Sequence, residues 1–271
     1  MKTPKKPTQA LHQVEESWSP YERLPGAGRS VLRRLWARLG FSRGAATTLR
    51  YEADMLLLRI WCFFNPAHRS KVKRLQGLRQ LQLHIGCGSV VLPGWVNVDC
   101  YPPKPQENAE ILVLDLRKGL PLSGGSVSAV YSEHFFEHLP FEVVQDVIVP
   151  DCYRMLEPGG YIRVGVPDGE YIISNYLASQ TNSADDLYAQ QLNGRTPMQM
   201  LNDMTHAFTH HYLWDYETLR MVFEKAGFTE LRHARPHDSE VSQFQNLDRT
   251  DPWRMRFTLY IEGRRPSATS S

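Results

Sequence analysis

The sequence has little that would mark a secreted or membrane-embedded protein. Its 271 residues include only four cysteines, and no two of them form a CxxC pair; they are Cys62, Cys87, Cys100 and Cys152. A disulfide framework and a cysteine zinc site are therefore not expected, and a reducing compartment is the simpler environment. The most apolar run, residues 55–64, is about half as long as a bilayer-crossing helix and contains Arg59.

The sequence also lacks an apolar signal-peptide core, because its basic start, MKTPKKPTQA, is followed by the polar residues 11–20. We therefore expect a cytoplasmic protein. The net charge is small, +2 at pH 7, but it is unevenly distributed. Residues 1–80 hold 16 Lys/Arg and 5 Asp/Glu, and residues 81–271 hold 15 and 24, so the two regions carry +11 and −9. Two regions with different roles are indicated.

Four segments follow from this composition. They are a flexible, proline-containing lead-in (1–28), a basic helical extension (29–78), the main domain (79–264) and a disordered tail (265–271). Within the extension, apolar residues recur at helical spacing over 30–40 and 45–64.

The basic helices are expected to present a solvated face while they dock on the acidic main domain. The alternative is a weak contact of residues 29–78 with an anionic membrane surface, which would make the protein peripheral to the membrane. No specific nucleic-acid partner is expected, because the basic residues lack a base-stacking platform.

Short apolar runs rich in β-branched or aromatic residues dominate the main domain. They lie at 81–85, 95–98, 111–114, 129–131 and 161–166. Fully apolar short strands predict a sheet that is covered on both faces, hence a mostly parallel α/β sheet. Helices are predicted at 141–156, with a kink at Pro150, and at 216–225. Two further strands are predicted at 229–233 and 256–261.

The segment LHIGCGS, residues 83–89, is the most informative one. A predicted strand ends at Gly86 and Gly88, where a side chain would block the approach of a ligand to the backbone. Asp99 ends the next strand, about thirteen residues later, placed to accept hydrogen bonds from ribose hydroxyls. The short gap leaves little room for the helix that a pyrophosphate needs, which argues against NAD and leaves S-adenosylmethionine open. A tight turn without a ligand is the competing interpretation.

An ordered set of motifs extends this pattern. LHIGCGSVVLPGWVNVD, DLRKGLPLSGGSVSAVYSEHFFEHL and LEPGGYIRVGVPD follow one another, and the set resembles a class I S-adenosylmethionine-dependent methyltransferase over about residues 81–263. More narrowly, it resembles the predicted bacterial methyltransferases that carry GCG…LPGW(V/I)N(V/I)D. The resemblance implies an α/β fold with a Rossmann-like, doubly wound, mostly parallel sheet and a final antiparallel strand, preceded by the helical extension. It also implies methyl transfer from S-adenosylmethionine to a small-molecule or glycan acceptor.

The resemblance assigns roles in cofactor binding. The turn that holds the methionine part comprises Gly86, Cys87 and Gly88, with Cys87 as a small filler whose backbone matters. Asp99 would bind the ribose, and Asp115 and Leu116 would flank the adenine.

Residues at the end of the fourth strand would face the sulfonium and the acceptor; they are Tyr131, Ser132, Glu133 and His134. One departure from the family pattern is His84, which stands where many class I enzymes carry an acid for the cofactor's amino group. That task then passes to another residue, such as Glu133.

Histidines are the candidate catalytic bases. A hydroxyl or amine acceptor has to lose a proton, and imidazole titrates near neutrality. His134 is the first candidate because it lies nearest the carboxyl end of a central strand, where ligands gather in such sheets. His206 and His210 are the next candidates; a metal on these two is conceivable if they are helical, but solvent-facing or capping histidines are more common.

Two alternatives remain open. One is a non-catalytic cofactor-binding or membrane-docking module on the same fold. The other is a zinc hydrolase, since HFFEH at residues 134–138 matches H-x-x-E-H, in which two histidines share one helix face. Its position directly after a buried strand argues against the zinc enzyme, and we assign no metal.

Overall fold

The structure, a computed structural model, describes residues 43–104, 106–107, 109–206 and 209–267. The expected lead-in at 1–28 and the helix expected at 30–40 lie outside these residues. The chain divides into two units, Met1–Leu57 and Leu58–Ser271. In the described part of the first unit the chain is helical, in helix α1 (Arg43–Phe64), which matches the helix predicted at 45–64.

Seven strands form the sheet of the second unit. They are β1 (Leu81–Ile85), β2 (Val96–Asp99), β3 (Glu110–Val113), β4 (Val127–Glu133), β5 (Leu156–Pro167), β6 (Thr229–Ala234) and β7 (Thr258–Arg264). Their order is β3-β2-β1-β4-β5-β7-β6. The pairs from β3 to β5 are parallel, and β7 is antiparallel to both β5 and β6. The predicted Rossmann-like, mostly parallel sheet with a final antiparallel strand is confirmed.

Helices flank and extend this sheet. They are α2 (Pro66–Gln76), α3 (residues 141–155, in three parts), α4 (Gly169–Ser179), α5 (Asp186–Leu192), α6 (Pro197–His206), α7 (Tyr216–Ala226) and α8 (Pro252–Phe257). Among the described helices, none combines the length and apolarity needed to cross a bilayer. The last strand was predicted to start at residue 256. That boundary is wrong, because Asp251 caps α8 by accepting from the Arg254 N–H and Pro252 favours a helix start.

The predicted kink at Pro150 takes the form of a π-helical turn. Helix α3 begins as Phe141–Val143, widens over Val144–Ile148 and continues as Val149–Met155. The Val149 N–H donates to the Val144 carbonyl, five residues back. Proline has no N–H, so Pro150 cannot donate the hydrogen bond of a regular α-helix. The wider turn before it lets the helix continue past Pro150.

One face of the sheet is apolar. Its core includes Leu83 and Ile85 of β1, Val98 of β2, and Ile162 and Val164 of β5, all fully buried. Leu75 of α2 joins this core.

Helix α2 also makes polar contacts with β3. Lys71 Nζ donates to the Ile111 carbonyl at 2.9 Å, and Lys71 and Arg74 both pair with Glu110. These contacts fix α2 at the β3 edge of the sheet, and the docking expected for the helices at 30–40 and 45–64 stays a prediction. Helix α2 begins at Pro66 and packs on the sheet, although the main domain was predicted to start near residue 79. The predicted domain boundary stays a prediction.

The opposite face of the sheet carries a buried ionic network. Arg163, in the middle of β5, is fully buried. Its guanidinium contacts Asp248 at 2.5 and 3.0 Å and Glu262 at 2.6 Å. Arg232 pairs with the other oxygen of Glu262 at 2.9 Å. A charge in this position is tolerable only because the carboxylates neutralise it and accept its hydrogen bonds.

His84 lies on the same polar face. Its Nδ1 is 3.1 Å from Asn97 Oδ1 of the neighbouring strand, and the side chain is 3% exposed. Burial lowers the pKa of His84 to about 4; the Asn97 hydrogen bond acts in the opposite direction, and Arg249 adds to the lowering. At neutral pH this histidine is therefore uncharged, so it does not replace the acid of the family pattern by carrying a charge.

Replacing Arg163 tests the ionic network. We expect Arg163→Met to lower the free energy of unfolding by about 3–5 kcal/mol, because the substitution leaves the buried carboxylate of Asp248 without its cation and Glu262 with Arg232 alone. Arg220→Met is the matched control, since Arg220 pairs with Glu224 at 3.0 Å on the exposed face of α7 and should cost under about 1 kcal/mol. Urea unfolding of both variants measures the difference. Equal, small losses would contradict the role of the network.

The buried His84 predicts a specific loss of stability in acid. The pKa of His84 is about 4 in the folded protein and 6.5 in the unfolded chain. Between pH 6.5 and about pH 4 the unfolded chain therefore binds a proton at His84 that the folded protein does not bind, and this favours unfolding. Above 6.5 this group contributes no pH dependence. From about pH 7.5 to about pH 5, we expect the wild type to lose about 2 kcal/mol more stability than His84→Gln. Parallel stability curves in urea titrations would disprove the assignment.

Candidate active site

The predicted site residues lie at the carboxyl ends of the parallel strands. β1 is followed by the glycine turn, β2 ends at Asp99, β3 is followed by Asp115, and β4 ends at Glu133. Since β2 and β4 flank β1, the strand order changes direction there, and open α/β sheets bind ligands in the crevice at such a point.

The glycine turn follows β1 and has a backbone conformation that favours glycine. Gly86 and Gly88 have φ angles of 65° and 52°, in the left-handed region that side chains disfavour. The Cys87 N–H donates to the Val98 carbonyl at 3.2 Å and ties the turn to β2. Burial, reinforced by the negative charge of Asp99, raises the pKa of the Cys87 thiol to about 12. The thiol is therefore protonated, which agrees with Cys87 as a filler.

Phe135 lies against this turn. A β-carbon on Gly86 would overlap the Phe135 ring, so the ring occupies the side of Gly86 on which a side chain would project. The glycine is thus required by packing as well as by its φ angle. A ligand that approached this side of the turn would have to displace the ring.

Asp99 faces inward beside the glycine turn and is 9% exposed. Its Oδ2 accepts from the Gly88 N–H at 2.8 Å and its Oδ1 from the Tyr101 N–H at 3.0 Å. Burial raises the pKa of Asp99 above its ordinary value, and the hydrogen bonds from Tyr101, Gly88 and Cys100 act in the opposite direction. Each carboxylate oxygen retains a second lone pair, so the group has acceptor capacity for ligand hydroxyls.

Asp115 and Leu116 lie where the resemblance places the adenine. The Asp115 carboxylate caps the 3₁₀ turn Leu116–Lys118 and binds the Arg117 guanidinium at 2.9 and 3.0 Å. Arg59 approaches it at 3.5 Å, and Leu116 is buried in the apolar core. The Asp115 side chain is therefore committed to protein donors.

Ser132 and Glu133 point to opposite faces of β4, as adjacent strand residues do. The Glu133 carboxylate accepts from the Tyr260 hydroxyl at 2.5 Å and from the Arg249 N–H at 3.2 Å, and the Arg249 guanidinium lies 3.5 Å away. The Ser132 hydroxyl is fully buried and has no hydrogen-bond partner in the described part of the chain.

His134 follows β4 with a left-handed backbone, φ 53°, and its side chain is 12% exposed. Nδ1 lies 3.1 Å from Glu137 Oε1, and Nε2 lies 2.9 Å from Thr258 Oγ1. The ring also packs on Phe257, with centroids 5.5 Å apart. The predicted first base thus lies at the expected edge. To accept a proton from a substrate, it would have to exchange its bond with Thr258.

The HFFEH segment is not an α-helix. The left-handed His134 precedes a 3₁₀ turn, Phe136–His138, so the two histidines do not share a helix face as the zinc-peptidase motif requires. Glu137 is buried at the centre of this segment. Burial raises its pKa, but the His134 hydrogen bond and the charges of His134, His138 and His210 outweigh burial and bring the pKa to about 2.

The other predicted bases separate in the structure. Helix α6 ends at His206, which is exposed, so the condition that His206 and His210 share a helix is not met. His210 lies beside His138, with ring centroids 4.9 Å apart.

Two acids near this edge of the sheet serve as helix caps. Asp168 accepts from the Tyr171 N–H at the start of α4, and Asp215 from the Thr218 N–H at the start of α7. Both have a structural role here.

Sequence reasoning missed the partners that surround the end of β4. Thr258, Tyr260, Arg249 and Asp248 all lie more than 80 residues from the groups that they contact. A usable signal was Arg163, a charged residue inside an otherwise apolar strand, which requires buried counter-ions somewhere in the chain.

The geometry agrees with comparisons to known proteins. Residues 83–164 match the family model of a methyltransferase domain, a span from β1 to β5 that includes the glycine turn, Asp99 and the crevice beside β1. No curated protein matches the chain.

Similar solved structures include an S-adenosylmethionine-dependent methyltransferase from Archaeoglobus fulgidus, at 16% identity and a TM-score of 0.42, covering 78% of this chain and 94% of that one. A methyltransferase from Mesorhizobium loti has 15% identity and a TM-score of 0.40, with 73% and 97% covered. Phosphoethanolamine N-methyltransferase 2 from Haemonchus contortus, in complex with S-adenosylmethionine, has 13% identity and a TM-score of 0.42, with 73% and 52% covered.

The family match favours catalysis over a non-catalytic module, and the shape of HFFEH removes the basis for the zinc hydrolase. The match of residues 83–164 to a methyltransferase domain therefore supports methyl transfer as the activity.

Proposed function

We propose that this chain transfers a methyl group from S-adenosylmethionine to a small-molecule or glycan acceptor, and that it is one of the bacterial enzymes with the GCG…LPGW(V/I)N(V/I)D motif. Contact of residues 29–78 with a membrane surface is proposed only as a secondary, weak interaction.

The observation that carries the proposal is the inward-facing carboxylate of Asp99. Backbone N–H groups of Gly88 and Tyr101 hold it at 2.8 and 3.0 Å, so its orientation is fixed before a ligand binds. Its remaining lone pairs suit the two adjacent hydroxyls of a ribose. The left-handed Gly88 supplies one of these donors and couples the turn to the acid.

The residues present fit the cofactor with one required movement. The turn at residues 86–88 offers main chain without bulky side chains, and Asp99 offers the ribose contact. The Phe135 ring lies against Gly86, so we infer that it rotates away when the methionine part binds. Since Asp115 is held by Arg117, the adenine would meet the backbone of residues 115–116 and not a free carboxylate.

Methyl transfer mainly requires alignment and a dry site. S-adenosylmethionine, when bound, supplies a methyl group on a positively charged sulfur that is already a good leaving group. The chain has to hold the acceptor in line with that methyl group, and such orientation contributes on the order of several kcal/mol. His134, with His206 and His210 as further candidates, is proposed to take the acceptor's proton.

The acceptor side is proposed to be formed by residues 169–206. Helices α4, α5 and α6 follow the carboxyl end of β5 directly and have a small core of their own, made of Ile172, Tyr188, Met200, Met204 and Phe257. Phe257 of this core also packs on His134. Through Phe257, residues 169–206 therefore lie next to His134, the proposed base. An acceptor would have to bind at this place.

Asp99→Asn tests the cofactor site. The amide keeps the shape but replaces one acceptor oxygen by a donor, so we expect the Kd for S-adenosylhomocysteine to rise at least about 100-fold, a loss of about 3 kcal/mol. Calorimetric titration measures this. The control is Asp238→Asn, since the Asp238 side chain is 56% exposed and forms a surface ion pair with Arg232 at 3.3 Å. Unchanged affinity in Asp99→Asn would contradict the proposed ribose contact.

His134→Asn tests the proposed base. Tritiated-methyl incorporation into cell extracts first identifies an acceptor, and kcat is then compared with the wild type. We expect kcat to fall about 100-fold or more while S-adenosylhomocysteine binds with unchanged affinity, because general-base catalysis contributes about that factor. A variant with full turnover would remove His134 from the mechanism. His68→Asn, on α2 away from the end of β4, serves as the control histidine.

A further inference from the structure

Three polar side chains converge beside the end of β4. Glu137 and His138 belong to the 3₁₀ turn Phe136–His138, and His210 belongs to the segment after α6. One potential ligand atom from each of the three lies within 4.8 Å of those of the other two. The N–H groups of His211 and Tyr212 donate to the Glu137 carbonyl at 2.7 and 3.3 Å, so the backbone fixes the two segments side by side.

Glu137 has an unused buried oxygen. The residue is 1% exposed, and its Oε1 is bonded to His134 at 3.1 Å. Its Oε2 has no hydrogen-bond partner among the residues that the structure describes. A buried carboxylate oxygen without a donor is costly, and cores normally supply a donor or a cation. The position of Oε2 therefore indicates a missing positive partner.

The histidines are oriented as metal ligands are. His210 Nδ1 lies 2.7 Å from the Met204 carbonyl, which only accepts, so Nδ1 carries a proton and the neutral ring has its lone pair on Nε2. His138 Nδ1 lies 3.1 Å from Thr209 Oγ1. Metal-binding histidines typically use one ring nitrogen in such a bond, which fixes the tautomer and the ring direction for the other nitrogen.

We propose that Glu137, His138 and His210 bind one divalent transition-metal ion, with Zn²⁺ as the ion that suits two imidazoles and one carboxylate. The inference departs from the sequence-based expectation that no metal is bound. His134 does not ligate the ion but positions Glu137 through its Nδ1.

Three protein ligands leave a coordination position open. If the proposed function holds, this position would orient an acceptor oxygen at the edge where methyl transfer takes place, and the cation would favour its deprotonated form. The role in methyl transfer thus rests on the proposed function. Binding of the ion depends only on the three side chains.

Cobalt provides a readout that does not need an acceptor. The full chain is treated with a chelator, desalted and titrated with Co²⁺, whose visible absorption reports coordination by protein ligands. We expect one Co²⁺ per chain, displaced by one equivalent of Zn²⁺. His210→Ala should weaken Co²⁺ binding at least about 100-fold, since it removes one of three ligands. His211→Ala is the matched control, because this neighbouring histidine contributes only its backbone N–H to Glu137.

Far-UV circular dichroism and urea unfolding serve as the check on folding for His210→Ala and His211→Ala, and S-adenosylhomocysteine binding is measured separately as the test of the proposed function. Absence of Co²⁺ binding in the folded wild-type protein overturns the site, whether or not that protein binds S-adenosylhomocysteine. Binding that persists in His210→Ala overturns the assigned ligands. Stoichiometric Co²⁺ binding without S-adenosylhomocysteine binding supports the metal site while it contradicts the proposed function.

Discussion

The buried guanidinium of Arg163 is the interaction on which the polar side of this molecule depends. It lies in the middle of β5, where water cannot solvate it, so its counter-ions have to come to it. Asp248, 85 residues further along the chain, is one of them, and the segment after β6 crosses the polar face of the sheet to reach Arg163. The next residue, Arg249, then pairs with Glu133 at the end of β4. One charge inside the sheet thereby determines the surroundings of the candidate active site.

The antiparallel strand β7 has a related effect. Its first residue, Thr258, pairs with Pro167 at the carboxyl end of β5, so β7 begins at the edge where the parallel strands end. Thr258 and the preceding Phe257 consequently reach His134, and Tyr260 reaches Glu133. A parallel strand in this position would have brought its last residues there. The direction of one strand therefore determines which side chains hold the candidate base.

Local patterns were enough to predict most of the sheet and part of the site. β1 was predicted with its observed bounds, and the two glycines and Asp99 follow from backbone conformation and strand ends, which depend on nearby residues. Side-chain partners could not be predicted in the same way. Glu133 and His134 are engaged by residues more than 100 positions away, and no spacing rule connects them. The last strand was predicted to start two residues too early. Arg256 and Phe257 belong to helix α8, which starts at Pro252 after the cap Asp251.

The contacts that the acids near the candidate site already make within the protein bear on how the cofactor would be recognised. Asp115 binds Arg117, and Glu133 binds Tyr260 and Arg249, so neither carboxylate can take on a new cation without giving up its own. His84 is neutral at physiological pH and cannot attract the cofactor's carboxylate by charge. Asp99 is held by the backbone N–H groups of Gly88 and Tyr101 and by hydrogen bonds from Cys100, and in the described structure none of these partners is a charged side chain. We therefore propose that cofactor recognition is concentrated on Asp99 and the main chain beside it, and that the acids at β3 and β4 chiefly keep that edge of the sheet in shape.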